Sequence, residues 1–184
     1  IIAIIARFWK KNNNLFQNTV VGTVMTNKAL EYYFLEKKIN LVRTDVGDRN
    51  IIQSMKEQKF VLGGEPSGHI ILDNYSSTGD GILASLEVLG IMKFENKKLS
   101  NLANIYIPYP QIIQNFPIRT NQKSELIISN IKNKVEKKID KTHARIVIRK
   151  SGTENKIRTM IEARNLELAR SISKKIVSLM KEKI

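Results

Sequence analysis

The chain lacks several residue types, and each absence excludes a class of chemistry. It contains no cysteine in 184 residues, which excludes disulfides, thiol nucleophiles and cysteine-ligated zinc. Its two histidines, His69 and His143, are too few for a histidine-rich metal site. The sequence therefore predicts no metal site within this chain.

Long apolar runs are also missing. The longest covers residues 1–6 and stops at Arg7, whereas a membrane-spanning helix needs about 20 apolar residues. No cationic segment precedes this run and no small-residue cleavage site follows it, so it differs from a secretory signal. We therefore expect a cytoplasmic protein without a membrane span. Because the chain starts at Ile1 in mid-pattern and without methionine, we also expect it to be a piece of a longer protein.

The charge balance is strongly basic, with 31 Lys and Arg against 17 Asp and Glu and a net charge of +14. Residues 123–184 carry 17 of the basic and 7 of the acidic side chains. Such a bias is compatible with binding to nucleic acid or another polyanion. The lysines are scattered along helices without interleaved aromatic residues for base stacking, which favours a solvated surface and codon bias instead.

The order of the hydrophobic patterns indicates an α/β fold. In the first part of the chain, short β-branched runs alternate with helical stretches, which is typical of an α/β layer structure. Asn27 is placed to cap the first predicted helix, and Asp80 precedes another. We therefore predict a mixed α/β domain at residues 1–104.

The prolines suggest a boundary between two domains. Residues 105–120 contain three of the four prolines, which suit an extended linker with a short strand near its end, around 116–119. We predict a small α+β domain at residues 121–184. Its predicted elements are a helix at 123–138, strands at 145–149 and 157–163, and a final helix capped by Asn165.

A glycine-containing loop at residues 63–69 is the first candidate site. Its sequence, Gly-Gly-Glu-Pro-Ser-Gly-His, can present Glu65, Ser67 and His69 at the end of a strand. Ser67 is a poor candidate for a nucleophile elbow, which requires glycine two residues earlier, so its hydroxyl suits binding better than attack. A tight turn with a satisfied carboxylate is the alternative interpretation.

A second loop, Arg-Lys-Ser-Gly-Thr-Glu at residues 149–154, is followed by Arg158. Guanidinium groups, hydroxyls and the N–H groups of a glycine-containing turn together suit a tetrahedral phosphate, because arginine can donate two parallel hydrogen bonds to its oxygens. The alternative is a surface turn in which Arg149 and Arg158 are simply exposed.

Three further features are less specific. In the Val-Gly-Asp-Arg turn at residues 46–49, Asp48 is placed to cap a helix and Arg49 to be solvated. Asp80, in the Ser-Thr-Gly-Asp-Gly turn at residues 77–81, fits a helix cap better than a metal ligand. His143 is expected to be a loop histidine without a partner.

In their order and spacing, these four motifs resemble the α-D-phosphohexomutases. Within that superfamily the chain is most similar to bacterial phosphoglucosamine mutase, including the strand at residues 21–25 and Asn27. The resemblance covers essentially the whole chain. It implies that the chain contains the third and fourth of the family's four domains.

The resemblance implies a role for each loop. Glu65, Ser67 and His69 would bind the sugar, and Asp48 and Arg49 would line the cleft. The implied reaction interconverts glucosamine 6-phosphate and glucosamine 1-phosphate by phosphoryl transfer through a bisphosphate, in the synthesis of amino sugars and cell-wall precursors. The non-reacting phosphate would be held by Arg149, Ser151, Gly152, Thr153 and Arg158.

The resemblance also implies what is missing. In this family the phosphoserine loop and the aspartate-rich loop that holds Mg²⁺ belong to the N-terminal half, and no Asp-x-Asp-x-Asp cluster occurs in this sequence. We therefore expect the chain to be inactive alone. Its implied partners are a hexosamine phosphate and the missing half, or a chain that supplies it. Two residues depart from the family pattern, since Asn155 replaces the usual proline and Lys156 a usual aliphatic residue.

Other interpretations stay open at this point. A phosphomannomutase or phosphoglucomutase relative would share these loops, because nothing in residues 65–69 visibly recognises a 2-amino group. A basic nucleic-acid-binding module derived from this fold would use residues 123–184 and bind with steep salt dependence. A decaying remnant is disfavoured, because drift would damage Arg149 or Glu65 early and both are intact.

Overall fold

A computed structural model describes residues 1–118, 124–137, 139–140, 142–152 and 154–182. The chain divides into two compact units, Ile1–Pro108 and Tyr109–Ile184, each with its own sheet and its own apolar core. This confirms the predicted fold class, a mixed α/β domain followed by a small α+β domain.

The first unit is built on a four-stranded sheet with the order β2-β1-β3-β4. Strand β1 pairs in parallel with β2 and β3, and β3 pairs antiparallel with β4. The strands are β1 (Thr19–Thr23), β2 (Asn40–Thr44), β3 (Leu62–Gly64) and β4 (Ile70–Leu72). The helices are α1 (Ile2–Lys11), α2 (Lys28–Glu36), α3 (Asp48–Gln58), α4 (Gly81–Glu95) and α5 (Leu99–Ala103).

Helices cover both faces of this sheet. All five residues of β1 are buried, as expected for a central parallel strand that is covered on both faces. Neighbouring side chains of the strand point to opposite faces, so Val21 packs with Ile51 and Met55 of α3, whereas Val20 joins the core formed with α1, α2 and α4.

The short helix α5 and the longer helix α1 were not predicted from the sequence patterns, and α1 contributes more to the core. Its apolar run was recognised only as too short to span a membrane, yet Ala3, Ile4, Ile5, Ala6 and Trp9 are all buried in the core of the first unit. A continuous run hides the helical period that would have identified it. Within the described residues, no helix is long and apolar enough to cross a membrane.

The second unit consists of a three-stranded antiparallel sheet with the order β5-β7-β6 and two helices that pack on it. Its apolar core includes Ile131 and Val135 from the first helix and Ile172 and Ile176 from the second. The elements within its described residues are β5 (Gln111–Pro117), α6 (Ser124–Glu136), β6 (Ala144–Lys150), β7 (Lys156–Ala163) and α7 (Leu166–Lys181).

Strand β5 is longer than the predicted short strand around residues 116–119. It pairs with β7 from Gln111 opposite Glu162 to Pro117 opposite Lys156, within the stretch interpreted as a linker. An edge strand tolerates proline at its end, because that residue need not donate a ladder hydrogen bond. Proline content alone therefore obscured a regular strand.

Three of the predicted helix caps are present. Asn27 accepts a hydrogen bond from the Ala29 N–H, Asp80 accepts from two N–H groups of α4, and Asn165 accepts from the Leu168 N–H. The prediction for Asp48 was wrong. Gly47, with φ of +122°, is the cap residue of α3 and Asp48 is the first residue inside the helix.

Candidate functional site

The loop at residues 65–69 is a tight connection between the antiparallel strands β3 and β4. The Glu65 N–H donates to the His69 carbonyl at 3.0 Å, and the Gly68 N–H donates to the Glu65 carbonyl at 3.0 Å. Gly68 has φ of +105°, a conformation that favours glycine. The backbone thus closes on itself and fixes the three predicted polar side chains on a short, rigid turn.

The structure brings Glu65, Ser67 and His69 together. The Ser67 hydroxyl lies 2.9 Å from His69 Nδ1, and Glu65 Oε1 lies 3.4 Å from the same nitrogen. The Glu65 side chain is only 10% exposed, whereas that of His69 is 54% exposed. A nearly buried carboxylate therefore orients an imidazole that is open to a ligand.

This geometry disfavours a hydrolytic triad. In a Ser-His-acid triad the two ring nitrogens of histidine contact the serine and the acid separately, so that a proton can be passed between them. Here Ser67 and Glu65 both approach Nδ1. The cluster is suited instead to hydrogen bonding, with a carboxylate acceptor, a hydroxyl and a ring nitrogen.

The glycines that begin the loop are explained by packing. A Cβ atom at Gly63 would lie 2.5 Å from Met55 Sδ and 2.6 Å from Ile51 Cγ2 of α3. A Cβ atom at Gly64 would lie 2.8 Å from the His69 carbonyl oxygen. Both glycines therefore let strand β3 fit closely against its neighbours, which holds the start of the loop in place.

The two predicted cleft residues lie at the same sheet edge as this loop. Because β1, β2 and β3 are parallel, their carboxyl ends meet at one edge, where ligands of open α/β sheets commonly bind. Asp48 and Arg49 follow β2 there, and both are exposed. Asp48 Oδ1 accepts from the Arg49 N–H at 2.8 Å, so its carboxylate is partly used by the start of α3.

The second candidate site centres on two arginines in the second unit. Arg149 of β6 is directly opposite Arg158 of β7, so both side chains project from the same face of the sheet. Ile157, next to Arg158, belongs to the apolar core under the helices, which places the arginines on the other face. Asn115 of β5 is also opposite Arg158 and shares that face.

The Arg158 guanidinium is only partly satisfied. Its Nη2 donates to Glu154 Oε2 at 2.6 Å, but its Nε is buried and has no hydrogen-bond partner. The Arg149 side chain makes no hydrogen bond or ion pair with any other residue in the described ranges. Two like charges on adjacent strands, one with an unmet buried donor, form an arrangement that an anion would stabilise.

The loop between β6 and β7 supports this cationic pair. Ser151 is buried, and its N–H donates to the Lys156 carbonyl at 2.8 Å. At Gly152 a Cβ atom would meet nothing within 4 Å, so open space lies above the backbone. The predicted phosphate ligand Thr153 lies outside the described residues.

Glu154 and Lys156 are site residues that the sequence interpretation did not assign. The Glu154 carboxylate accepts from Lys156 Nζ at 2.7 Å and from Arg158 Nη2 at 2.6 Å. Hydrogen bonds from Lys156 and then Arg158 hold the pKa of the Glu154 carboxyl below its usual value. The alternation of side chains along β7 could have shown that Lys156 and Arg158 share one face of the sheet. The position of the Glu154 carboxylate between them is set by the conformation of the loop, which the spacing of residues does not reveal.

The prediction that His143 has no partner was wrong, because its Nε2 lies 3.7 Å from Asp140 Oδ2.

No group of three or more His, Cys, Asp or Glu side chains gathers among the residues that the structure describes. These residues therefore do not fit a Mg²⁺ site.

Comparison with known proteins agrees with this architecture. Residues 1–109 match the family model described as phosphoglucomutase/phosphomannomutase, alpha/beta/alpha domain III, and residues 104–179 match the C-terminal domain of the same family. The chain belongs to the phosphoglucomutase/phosphomannomutase family and contains these two domains.

Individual relatives refine the comparison. The chain is 39% identical over 187 residues to phosphoglucosamine mutase of Clostridium tetani, covering 99% of this chain and 41% of that protein. It is 37% identical over 188 residues to phosphoglucosamine mutase of Alkaliphilus oremlandii, covering 100% of this chain and 42% of that protein. The chain thus spans about two fifths of the length of these relatives.

A solved structure shows the same fold. The crystal structure of Aspergillus fumigatus N-acetylphosphoglucosamine mutase in complex with GlcNAc-6P and magnesium aligns with a TM-score of 0.75 at 17% identity. The alignment covers 99% of this chain and 43% of that one. At this identity the likeness supports the fold alone.

We predict that Lys156→Gln raises the pKa of the Glu154 carboxyl toward its usual value, because Lys156 is the largest cause of the depression. A depressed carboxyl pKa stabilises the fold at pH values above the usual glutamate pKa, and this contribution disappears as the pH falls through the lowered value. The measurement is a ¹³C NMR titration of the Glu154 carboxyl.

Lys150→Gln is the matched control for this titration. Lys150 is exposed at the end of β6 and does not appear among the causes of the Glu154 shift. If both variants moved the pKa equally, general surface charge would explain the effect. If neither moved it, the ion pairs around Glu154 would not persist in solution.

Proposed function

We propose that this chain is the substrate-recognition part of a phosphohexomutase of the phosphoglucosamine mutase type. The proposed reaction interconverts glucosamine 6-phosphate and glucosamine 1-phosphate by phosphoryl transfer. In the first unit, Glu65, Ser67 and His69 bind sugar hydroxyls. In the second unit, the phosphate that is not reacting is held by Arg149, Ser151, Gly152, Thr153 and Arg158.

The observation that carries this proposal is the opposed pair Arg149 and Arg158. The pair shares one face of the sheet, and the buried Arg158 Nε has no acceptor. Guanidinium groups match phosphate oxygens in geometry and remain charged at all physiological pH values. A phosphate placed there would neutralise both charges and accept from the unmet Nε–H.

Separate anchoring of a phosphate suits the proposed reaction. Phosphoryl transfer depends mainly on positioning and on neutralising charge, since little covalent chemistry falls to the protein. A mutase acting through a bisphosphate must hold one phosphate while the other reacts. A Cβ atom at Gly152 would meet nothing within 4 Å, so there is room for a ligand beside its backbone.

The choice of glucosamine over other hexoses rests on the relatives. Those from Clostridium tetani and Alkaliphilus oremlandii are named phosphoglucosamine mutase. The family itself includes phosphoglucomutases and phosphomannomutases, so a preference for glucose or mannose phosphates is the alternative. Glu65, Ser67 and His69 bind hydroxyls that all these hexoses carry. These three side chains therefore do not distinguish glucosamine from glucose or mannose.

The proposal includes the division of labour within a complete enzyme. By family resemblance, the phosphoserine and the Mg²⁺ ligands belong to the part that precedes domain III. We also propose that the protein is cytoplasmic. This chain contributes binding and orientation, and its described residues bring together no group of three or more potential metal ligands.

We predict that Arg149→Ala weakens binding of glucosamine 6-phosphate about 10- to 100-fold, because a charge-assisted hydrogen bond contributes about 1.5–3 kcal/mol and each 1.4 kcal/mol is tenfold. Inorganic phosphate should lose affinity by a similar factor. Isothermal titration calorimetry on the full chain measures both. The thermal unfolding midpoint should change little, because Arg149 makes no ion pair with a described residue.

Arg170→Ala is the matched control, since it removes an exposed arginine from α7 of the same unit. It should leave both affinities unchanged. Equal losses in the two variants would indicate a general effect of net charge, and unchanged binding in Arg149→Ala would remove the phosphate assignment.

We predict that the purified chain alone does not interconvert glucosamine 6-phosphate and glucosamine 1-phosphate, even with Mg²⁺ and glucosamine 1,6-bisphosphate present. The physical reason is the missing phosphoryl donor and metal ligands. A coupled assay or ³¹P NMR follows the conversion. Turnover that persists after removal of contaminating mutase by a second chromatographic step would contradict the division of labour.

A further inference from the structure

The ion pair between Glu154 and Arg158 differs from another arginine–carboxylate pair on the same face of the second sheet. Arg145 lies opposite Glu162, and Arg145 Nε donates to Glu162 Oε1 at 2.8 Å. The Glu162 side chain is fully buried and belongs to strand β7 itself. Its carboxylate is therefore fixed in place and acts as a permanent counter-ion for Arg145.

The carboxylate beside Arg158 is held much less firmly. Glu154 belongs to the loop between β6 and β7, and its side chain is 42% exposed. It pairs with Arg158 Nη2 and leaves the buried Nε–H of the same guanidinium without an acceptor. Exposed ion pairs contribute little to stability. A phosphate, which offers several oxygens, can therefore displace this carboxylate at a small cost in free energy.

The charges around Arg158 place Glu154 in competition with a bound anion. The positive charges on this face come from Arg149, Lys156 and Arg158. Hydrogen bonds from Lys156 and then Arg158 keep the pKa of the Glu154 carboxyl low, so that this group is ionised. Its negative charge repels a phosphate at the arginine pair and lowers the affinity for that ligand.

The proposed reaction needs an anion site that also releases its ligand. Glucosamine 6-phosphate and glucosamine 1-phosphate carry their phosphate at different ends of the sugar. A bisphosphate formed from one of them yields the other only if its two ends exchange places. The phosphate held by the arginines must therefore be released once in every conversion, and binding that is too tight would slow this exchange.

We propose that Glu154 is a built-in competitor for the phosphate at Arg149 and Arg158, and that it weakens this anion site enough for a bisphosphate to leave it and exchange ends. Glu154 Oε2 accepts from Arg158 Nη2, a donor that a phosphate oxygen would also use. When the phosphate leaves, Glu154 takes the place of one of its oxygens at this donor. The inference rests on the proposed function, because it takes the bound anion to be the phosphate of a hexose.

Glu154→Gln tests this role, because glutamine keeps a carbonyl oxygen as acceptor for Arg158 and removes the charge. Isothermal titration calorimetry of the full chain with inorganic phosphate and with glucosamine 6-phosphate measures the affinities, and ³¹P NMR line shapes give the dissociation rates. We expect both ligands to bind about 5- to 20-fold more tightly, because a nearby repulsive charge is removed. The gain should appear mainly as slower dissociation.

Glu167→Gln is the matched control, since it removes the same charge from an exposed position at the start of α7, on the opposite side of the sheet from the arginines. It should leave the affinities unchanged. An equal gain in both variants would indicate a general effect of net charge and would overturn the proposal. Unchanged or weaker binding in Glu154→Gln would also overturn it, because Glu154 would then be indifferent to the ligand or would orient Arg158 for it.

The same titrations separate this proposal from the proposed function. If the unchanged chain binds phosphate, Arg149→Ala loses that binding and Glu154→Gln gains nothing, only the role of Glu154 is wrong. If neither the unchanged chain nor Glu154→Gln binds phosphate or glucosamine 6-phosphate, the phosphate assignment and the role of Glu154 are both wrong.

Discussion

The opposition of Arg149 and Arg158 on adjacent strands is the constraint on which the account of the second unit depends. Strand pairing holds their backbones together, and the apolar core on the other face prevents either side chain from turning inward. The repulsion is reduced by Glu154, which pairs with Arg158 and Lys156. One guanidinium nitrogen nevertheless stays buried without an acceptor. Such an arrangement is costly for stability alone and becomes favourable when an anion is bound.

The first unit fixes its polar groups by a different means. Close packing at Gly63 and Gly64 holds strand β3 against α3 and the neighbouring strand, so the hairpin that follows has little freedom. Glu65 is nearly buried beside His69, which remains open. Rigid placement of a few polar groups lowers the entropic cost of binding a small ligand.

Sequence patterns predicted most of the architecture, and the failures have physical explanations. Alternation and caps identified the strands and most of the helices, with Asn27, Asp80 and Asn165 at the predicted starts. Helix α1 was missed because a run that is apolar throughout has no visible period, and β5 was shortened because its prolines suggested a linker. The candidate site residues were assigned by residue type and motif, and their roles stay a prediction. The partners of His143 and Glu154 depend on loop geometry, which one-dimensional spacing does not contain.

The most direct test of the central claim is the NMR signal of the Arg158 Nε–Hε group during titration of the chain with glucosamine 6-phosphate. An unpartnered donor that acquires a phosphate oxygen as acceptor should shift strongly downfield and exchange more slowly with water, in proportion to saturation. The backbone signals of Ser151 and Gly152 should move with the same dissociation constant. If the ligand saturates the chain while the Arg158 Nε–Hε signal stays in place, the opposed arginines are not the anion site.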